Sequence, residues 1–256
     1  IVCSGDPDSL DALVLPGRGV AIVDGTAPHV VEPKFPGAVE RYVNMGDCYD
    51  ADALWPLKQE IMDCMKGYKG CYQRAYRCLS AAADIMENQR SMLLTDALSQ
   101  KMAKRARGIL AREIPWRKSE RPGQVKQRFL GAVTHRGTMC LYGSVLAQCG
   151  RVYTLLDSCG LAHELLLHLL AGAVDSGFDV IACPDPMAPE RLAHLLIPQL
   201  NLAFLTITSS LPFLQKPYRA IRLDAAADSE TIRRSRPRLR FAKKVSAALV
   251  EEAVDS

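Results

Sequence analysis

Apolar positions set the first pattern along the chain. Leu10, Leu13, Val14 and Leu15 precede Pro16, and Val20 to Val23 follow it. The same spacing returns later: Leu192, Leu195, Leu196 and Ile197 precede Pro198, and Leu202 to Leu205 follow it. Aligning Pro16 on Pro198 pairs Leu13 with Leu195, Ile22 with Phe204 and Val23 with Leu205. A two-residue insertion near Met187 then brings Cys3 onto Cys183. Each copy, Cys3 to Asp24 and Cys183 to Thr206, reads as strand, acidic or proline-rich turn, short helix ending at Pro, then apolar strand. A repeat at roughly 180 residues predicts two homologous domains in tandem.

The region ahead of the second copy adds a crossover. Arg151 to Leu156 reads as a short apolar strand, Asp157 to Gly160 as a turn, and Leu161 to Ser176 as an apolar helix. Gly177 is placed to cap that helix, and Phe178 to Ala182 is the next strand. Strand, turn, helix, strand is a βαβ unit, which builds parallel sheet. Between the copies, Leu54, Leu57, Ile61, Met65, Tyr72, Tyr76, Leu79 and Ala83 recur at helical spacing. Ala51 to Ile114 therefore reads as a helical insert, a hairpin of long helices, and Pro115 and Pro122 mark a linker. The expected fold class is α/β, with two parallel-sheet domains in tandem and a long helical insert. Residues 1–127 would hold the first domain with its insert at about 51–114, and residues 128–256 the second. Ile1-Val2-Cys3 reads as a strand with no approach to it, which predicts a fragment.

Composition narrows the class. The chain has 256 residues, 48% of them hydrophobic and 23% charged, as globular proteins do. No apolar run reaches the roughly 18 residues of a membrane span, so no membrane partner is expected. With no secretory signal, the nine scattered cysteines read as reduced thiols of a cytoplasmic protein. Cys64, Cys71 and Cys78 form a stripe read as buried core. Charge is uneven under a net +4: Lys101 to Arg128 carries ten basic and two acidic residues, and Arg233 to Lys244 seven basic and none acidic. Two such segments suit a nucleic acid or an acidic protein, or else form solvated helix faces.

The turn of the βαβ unit is where a phosphate-binding loop stands when there is one. Such a loop needs glycines that let backbone N–H groups close on phosphate, a Lys for the terminal phosphates and a Ser or Thr for magnesium. Set against GxxxxGKS, Asp157 takes the first Gly position, Ala162 the second, His163 the Lys and Glu164 the Ser. Only Gly160 is a glycine inside the loop. Two carboxylates fall where phosphate would sit. His163 and His168 are five apart and leave a helix on different faces, which excludes the HExxH zinc arrangement; no metal site is expected. Asp24 ends an apolar strand, as the carboxylate that supports magnesium does in a phosphate-loop enzyme. Thr206 stands at the aligned place in the second copy.

Gly5 to Asp47, above all Asp24-Gly-Thr-Ala-Pro-His29 and the run to Glu40, resembles a family of uncharacterised bacterial, largely clostridial, ATPases with two P-loop domains in tandem. Arg74 to Ala82 is similar to that family's helical insert, and Arg128 to Ile207 to its second domain. The resemblance implies two P-loop NTPase-like domains with ATP and Mg²⁺ as cofactors. It makes Asp24 catalytic, sets Gly25 and His29 in the cleft, and puts Gly160, His163 and Glu164 at the nucleotide. The first phosphate loop would lie upstream of Ile1 and the second is degenerate. The expected function is thus nucleotide binding without ATP hydrolysis. The alternatives are a pseudo-ATPase scaffold, or a module that binds nucleic acid or acidic protein through the basic segments.

Overall fold

The computed structural model describes residues 1–27, 30–117, 121–227 and 229–256. The chain divides into two compact units, residues 1–75 with Ser256, and residues 76–255.

The first unit opens with β1 (Ala12–Leu15) and β2 (Val20–Val23). They pair antiparallel, with Leu15 opposite Val20 and Ala12 opposite Val23. The turn between them is one of local chemistry. Pro16 presets its φ. Gly19 closes the turn at φ +64°, where a side chain would be strained, and its N–H donates to the Pro16 carbonyl at 3.2 Å. Helix α1 (Ala51–Leu54) follows, with the Asp50 carboxylate accepting the Ala53 N–H at 3.0 Å. Helix α2 (Lys58–Leu93) opens in this unit and closes in the second.

In the second unit come α3 (Asp96–Glu113), β3 (Val125–Gln127), the hairpin β4 (Gly131–Thr134) and β5 (Gly137–Cys140), and α4 (Tyr142–Leu146). Then follow β6 (Arg151–Leu156), α5 (Ala162–Asp175), β7 (Val180–Asp185), β8 (Ala188–Ile197), β9 (Leu202–Ile207), β10 (Arg219–Arg222) and α6 (Ser229–Asp255). Six strands make one sheet in the order β10-β6-β9-β8-β7-β3. Strand β8 is antiparallel to both neighbours and the other pairings are parallel. The α/β class is therefore present, with the mostly parallel sheet in the second unit.

Strands at the middle of this sheet are buried on both faces. Leu195, Ile197, Leu202 and Phe204 pack toward α3 and α5, while Leu196, Ala203 and Leu205 pack with Val145 and Val152 on the other side. Such strands read as continuous apolar runs rather than alternating ones. On α5 the buried residues are Ala162, Leu165, Leu166, Leu169 and Ala173, one helical stripe. Gly172 lets α3 come close: a Cβ there would lie 2.6 Å from Leu110. Gly177 ends α5 at φ +73°, as its position predicts.

Four expectations change. Ala188 to Ile197 is a strand, and so is the end of Leu10 to Leu15; neither forms the short helix read from Leu192, Leu195 and Leu196. Pairing on both edges of β8 overrides a helix-compatible sequence. Second, the repeat needs no insertion. Adding 182 to Leu15↔Val20 gives the observed Ile197↔Leu202, and the offset carries the Val2↔Leu10 bridge onto Pro184↔Leu192. Cys3 then matches Asp185, not Cys183. Third, the repeated unit is an antiparallel meander, so the parallel sheet expected within residues 1–127 is not formed among the described residues of the first unit. Fourth, Cys64 is exposed, and Cys71 and Cys78 are only half-buried, so the stripe is no core. The helical expectation for 51–114 holds as α1 to α3, though α3 packs on α5.

Candidate functional site

The turn between β6 and α5 is closed by its own side chain. Asp157 is the first residue past β6. Its Oδ1 accepts the Cys159 N–H at 3.1 Å and its Oδ2 the Ala162 N–H at 2.6 Å. These are the amides at the start of α5 that a phosphate loop would offer to its ligand. A second carboxylate holds the turn from outside: Asp224 accepts the Ser158 N–H and the Ser158 hydroxyl, both at 2.9 Å. Burial is the largest influence on the Asp157 carboxyl and pushes its pKa above the ordinary value, against the amides that favour its charge.

Two arginines cover the glycine of this loop. Gly160 sits at φ +74°, its carbonyl accepts from Arg191 Nη2 at 2.9 Å, and a Cβ on it would lie 3.0 Å from Arg90 Cδ. Arg90 comes from α2, where Glu87 is its ion-pair partner. Burial lowers the pKa of Arg191, and the Glu164, Asp185 and Asp157 carboxylates oppose that shift.

The side chain expected to stand for the P-loop Lys does something else. His163 Nδ1 accepts the Leu192 N–H at 2.9 Å and ties α5 to β8. An accepting nitrogen carries no proton. Burial first, then Arg191, lowers the His163 pKa, so the ring is held neutral. A neutral, engaged imidazole supplies no charge to a phosphate. Glu164 is half-buried on the first turn of α5 with carboxylate chemistry only. Gly160, His163 and Glu164 are thus brought together, around an interior filled by Asp157. The residues present do not fit Mg²⁺-ATP in the P-loop manner. Among the described residues no His, Cys, Asp and Glu cluster suited to a metal is found.

Asp24 belongs to the first unit. It follows β2, its N–H donates to the Asp11 carbonyl at 2.8 Å, and its Oδ1 accepts the Thr26 N–H at 2.9 Å and hydroxyl at 2.7 Å. This is an Asx-type turn on the surface. Gly25 is exposed beside it. His29 lies outside the described residues.

The basic segments part company. On α6 the arginines point to solvent, with Ala242 and Ser246 on the buried face. Within the other segment, Arg117 crosses to the end of α5. Its Nε donates to the Ser176 carbonyl at 3.0 Å, and its guanidinium lies 4.2 Å from the Phe178 ring centroid. Lys118 lies outside the described residues. The α3 part lines an open groove of about 850 Å³ against β10, with Lys101, Lys104, Arg105 and Arg112 on one wall and Arg219 with the Arg222 carbonyl on the other.

Sequence reasoning found the strand–turn–helix junction and read Asp157 as a charge that repels phosphate. It missed that Asp157 fills the place. The signal was an Asp at the end of a strand two residues before the amide it accepts, an Asx-turn pattern. Arg90, Arg191 and Asp224 carried no signal, because they reach the loop only through tertiary structure. Compared with known protein families, curated proteins and solved structures, the chain matches none.

Proposed function

We propose that this chain is a pseudo-ATPase: a P-loop NTPase-like protein whose β6–α5 loop is closed on itself and does not hydrolyse ATP. The observation that supports the reading is the Asp157 carboxylate on the Cys159 and Ala162 amides. Phosphoryl transfer needs charge neutralisation by a Lys and Mg²⁺ at oriented phosphates. Here the amides are taken, the ring at the Lys position is neutral, and no hydroxyl stands at the magnesium position. Glu164 adds repulsion of roughly 4 kcal/mol against a phosphate charge at 4 Å and an effective dielectric of 20. What the β6–α5 junction keeps is structural: it anchors α5, β8 and the Asp224 turn together.

The test is calorimetric titration with ATP and Mg²⁺, followed by a phosphate-release assay on the same sample. The expected result is no phosphate released and no binding heat that depends on His163 or Glu164. Micromolar binding with turnover abolished by His163→Ala would overturn the reading. So would binding and turnover lost only in Asp24→Ala, which would move the activity to the first unit.

A further inference from the structure

The groove between α3 and β10 is independent of the β6–α5 loop. Lys101, Lys104, Arg105 and Arg112 share one face of α3, spaced i, i+3, i+4 and i+11, a stripe about 16 Å long at 1.5 Å rise per residue. Arg219 faces them from β10, the edge strand of the sheet, on the same side as Ile221 and Leu223, while Arg222 points to the other face and offers the groove its carbonyl. Among the described residues none of these five side chains is ion-paired with a carboxylate. Two of them fix the walls to each other: Lys101 Nζ donates to the Ala226 carbonyl and Arg105 Nη1 to the Arg222 carbonyl, each at 3.0 Å. An ammonium has three donors and a guanidinium five, so both keep N–H groups for a ligand. Two carboxylates flank the groove and both are engaged: Asp224, next to the lining Ala225, accepts from Ser158, and Glu113 of α3 is buried. Glu113 accepts from Tyr153 Oη at 2.6 Å and Arg151 Nη1 at 2.8 Å.

The floor differs from the walls. Ile109 and Ile221 lie in it, beside the Tyr153 ring. Tyr218, half-exposed, stands next to Arg219 and meets the Tyr153 ring edge-on at 5.6 Å. It stands beside the groove rather than in its lining, and its ring carries the Arg151 and Arg219 guanidiniums, each 5.6 Å from the centroid. Cations along two walls, an apolar floor and an aromatic with a guanidinium on it form the pattern that holds a backbone of phosphates with its bases stacked. An acidic peptide would meet the charges but has no use for the ring and floor. A duplex would need an element projecting into its groove, and this is a recess.

We propose that the α3–β10 groove binds single-stranded nucleic acid, with phosphates on Lys104, Arg112 and Arg219 and a base against Tyr218 at the groove's edge. The test is fluorescence anisotropy of the full chain with a labelled deca-uridine and deca-thymidine across a salt series. Engagement of four or five phosphates gives a slope of log K against log salt of about −3, at roughly −0.7 per phosphate on a single strand. Lys104→Glu with Arg112→Glu should weaken binding at least tenfold and make the slope shallower by more than one. Tyr218→Ala should weaken it about tenfold with the slope unchanged, since stacking releases no counterions. Arg236→Glu with Arg240→Glu on α6 changes net charge by the same amount and should weaken binding less than threefold. All substituted residues are exposed, and circular dichroism of each variant checks the fold. Equal losses from the α6 and groove pairs would overturn the proposal, as binding by net charge alone. Competition by poly-glutamate as strong as by unlabelled deca-uridine, with Tyr218→Ala neutral, would overturn it in favour of an acidic protein. Absence of binding at 50 mM salt would overturn it outright.

Discussion

The β1–β2 and β8–β9 hairpins are the same device in two settings. Both turn through Pro-x-x followed by a left-handed residue, Gly19 at φ +64° and Asn201 at φ +51°. Both turns close with the N–H of that residue on the proline carbonyl, at 3.2 Å and 2.9 Å. Their registers superimpose pair for pair. Yet Phe204 is 0% exposed and its counterpart Ile22 is 65% exposed; Leu195 and Leu13 stand at 0% and 48%. The turn and the pairing are thus local properties, written in Pro, Gly and Asn. Burial is conferred by neighbours: β6 and β7 along the edges, α3 and α5 on one face, α4 on the other.

The largest expected effect tests that division directly. Phe204→Ala removes a fully buried ring and should destabilise the second unit by about 3–5 kcal/mol, whereas Ile22→Ala should cost less than about 1 kcal/mol. Urea unfolding followed by far-ultraviolet circular dichroism reads both. Equal costs would mean that the first hairpin is buried as deeply as the second.

That contrast also explains what the sequence could show. β6 was legible to the residue because it is short and turn residues bound it, and α5 with its Gly177 stop nearly so because its apolar positions keep one helical period. β8 was not. Leu192, Leu195 and Leu196 satisfy a helix, and a strand buried on both faces has no alternation to betray it. The candidate loop was legible as a junction, since Asp157 and Gly160 interrupt an apolar strand and an apolar helix. Its covering by Arg90 and Arg191 was not, because those contacts come from α2 and β8. Likewise the basic run on α3 was visible, but its second wall holds one isolated arginine, Arg219, which makes no cluster in the sequence.

A pH titration separates the hairpins next. His194 on β8 is opposite Leu205; its first-unit counterpart is Ala12, which does not titrate. His194 Nδ1 accepts the Thr206 N–H at 3.2 Å, and Nε2 lies 3.9 Å from Cys140 Sγ. Burial lowers its pKa to about 4, from an ordinary 6.5. The folded state therefore prefers the neutral ring. That preference stabilises fully above pH 6.5 and is lost as pH falls through 4, about 3 kcal/mol in all at 1.36 kcal/mol per unit. Denaturation midpoints of the second unit should fall between pH 6.5 and 4, and His194→Gln should flatten that slope. An unchanged slope in the variant would assign the acid sensitivity to another group.

Asp157 probes a tie that the first hairpin lacks. Its loop positions His163, and His163 holds the Leu192 N–H; Leu10 is the counterpart of Leu192. Asp157→Ala leaves the Cys159 and Ala162 amides without their acceptor and should cost about 1–2 kcal/mol. Hydrogen exchange at Leu192 should quicken while Leu10 is unaffected. The pH sign is opposite to that of His194. Burial raises the Asp157 pKa, so its contribution is present below the ordinary carboxylate value and is lost as pH rises through the folded value. Asp157→Asn should remove that decline.

The smallest effect lies in the turns, and it asks whether they are interchangeable. Gly19 has open space around a built Cβ, so only backbone strain opposes a side chain there. Asparagine tolerates the left-handed region, so Gly19→Asn should cost less than about 0.5 kcal/mol and Gly19→Ala about 1 kcal/mol. The reverse exchange is not symmetric. Asn201 Oδ1 accepts the Gly150 N–H, and its side-chain atoms lie 3.2 and 3.3 Å from where a Gly150 Cβ would be. Asn201→Gly relieves the strain of φ +51° but removes that acceptor and frees the unfolded chain, a net loss of about 1 kcal/mol. Gly150 directly precedes β6, so its amide fixes how β6 enters alongside β9. Hydrogen exchange at Gly150 and Arg151 would report the loosening, and nothing comparable should follow from Gly19→Asn. A neutral Asn201→Gly would reduce the second turn to the first: a local reversal with no part in seating the sheet.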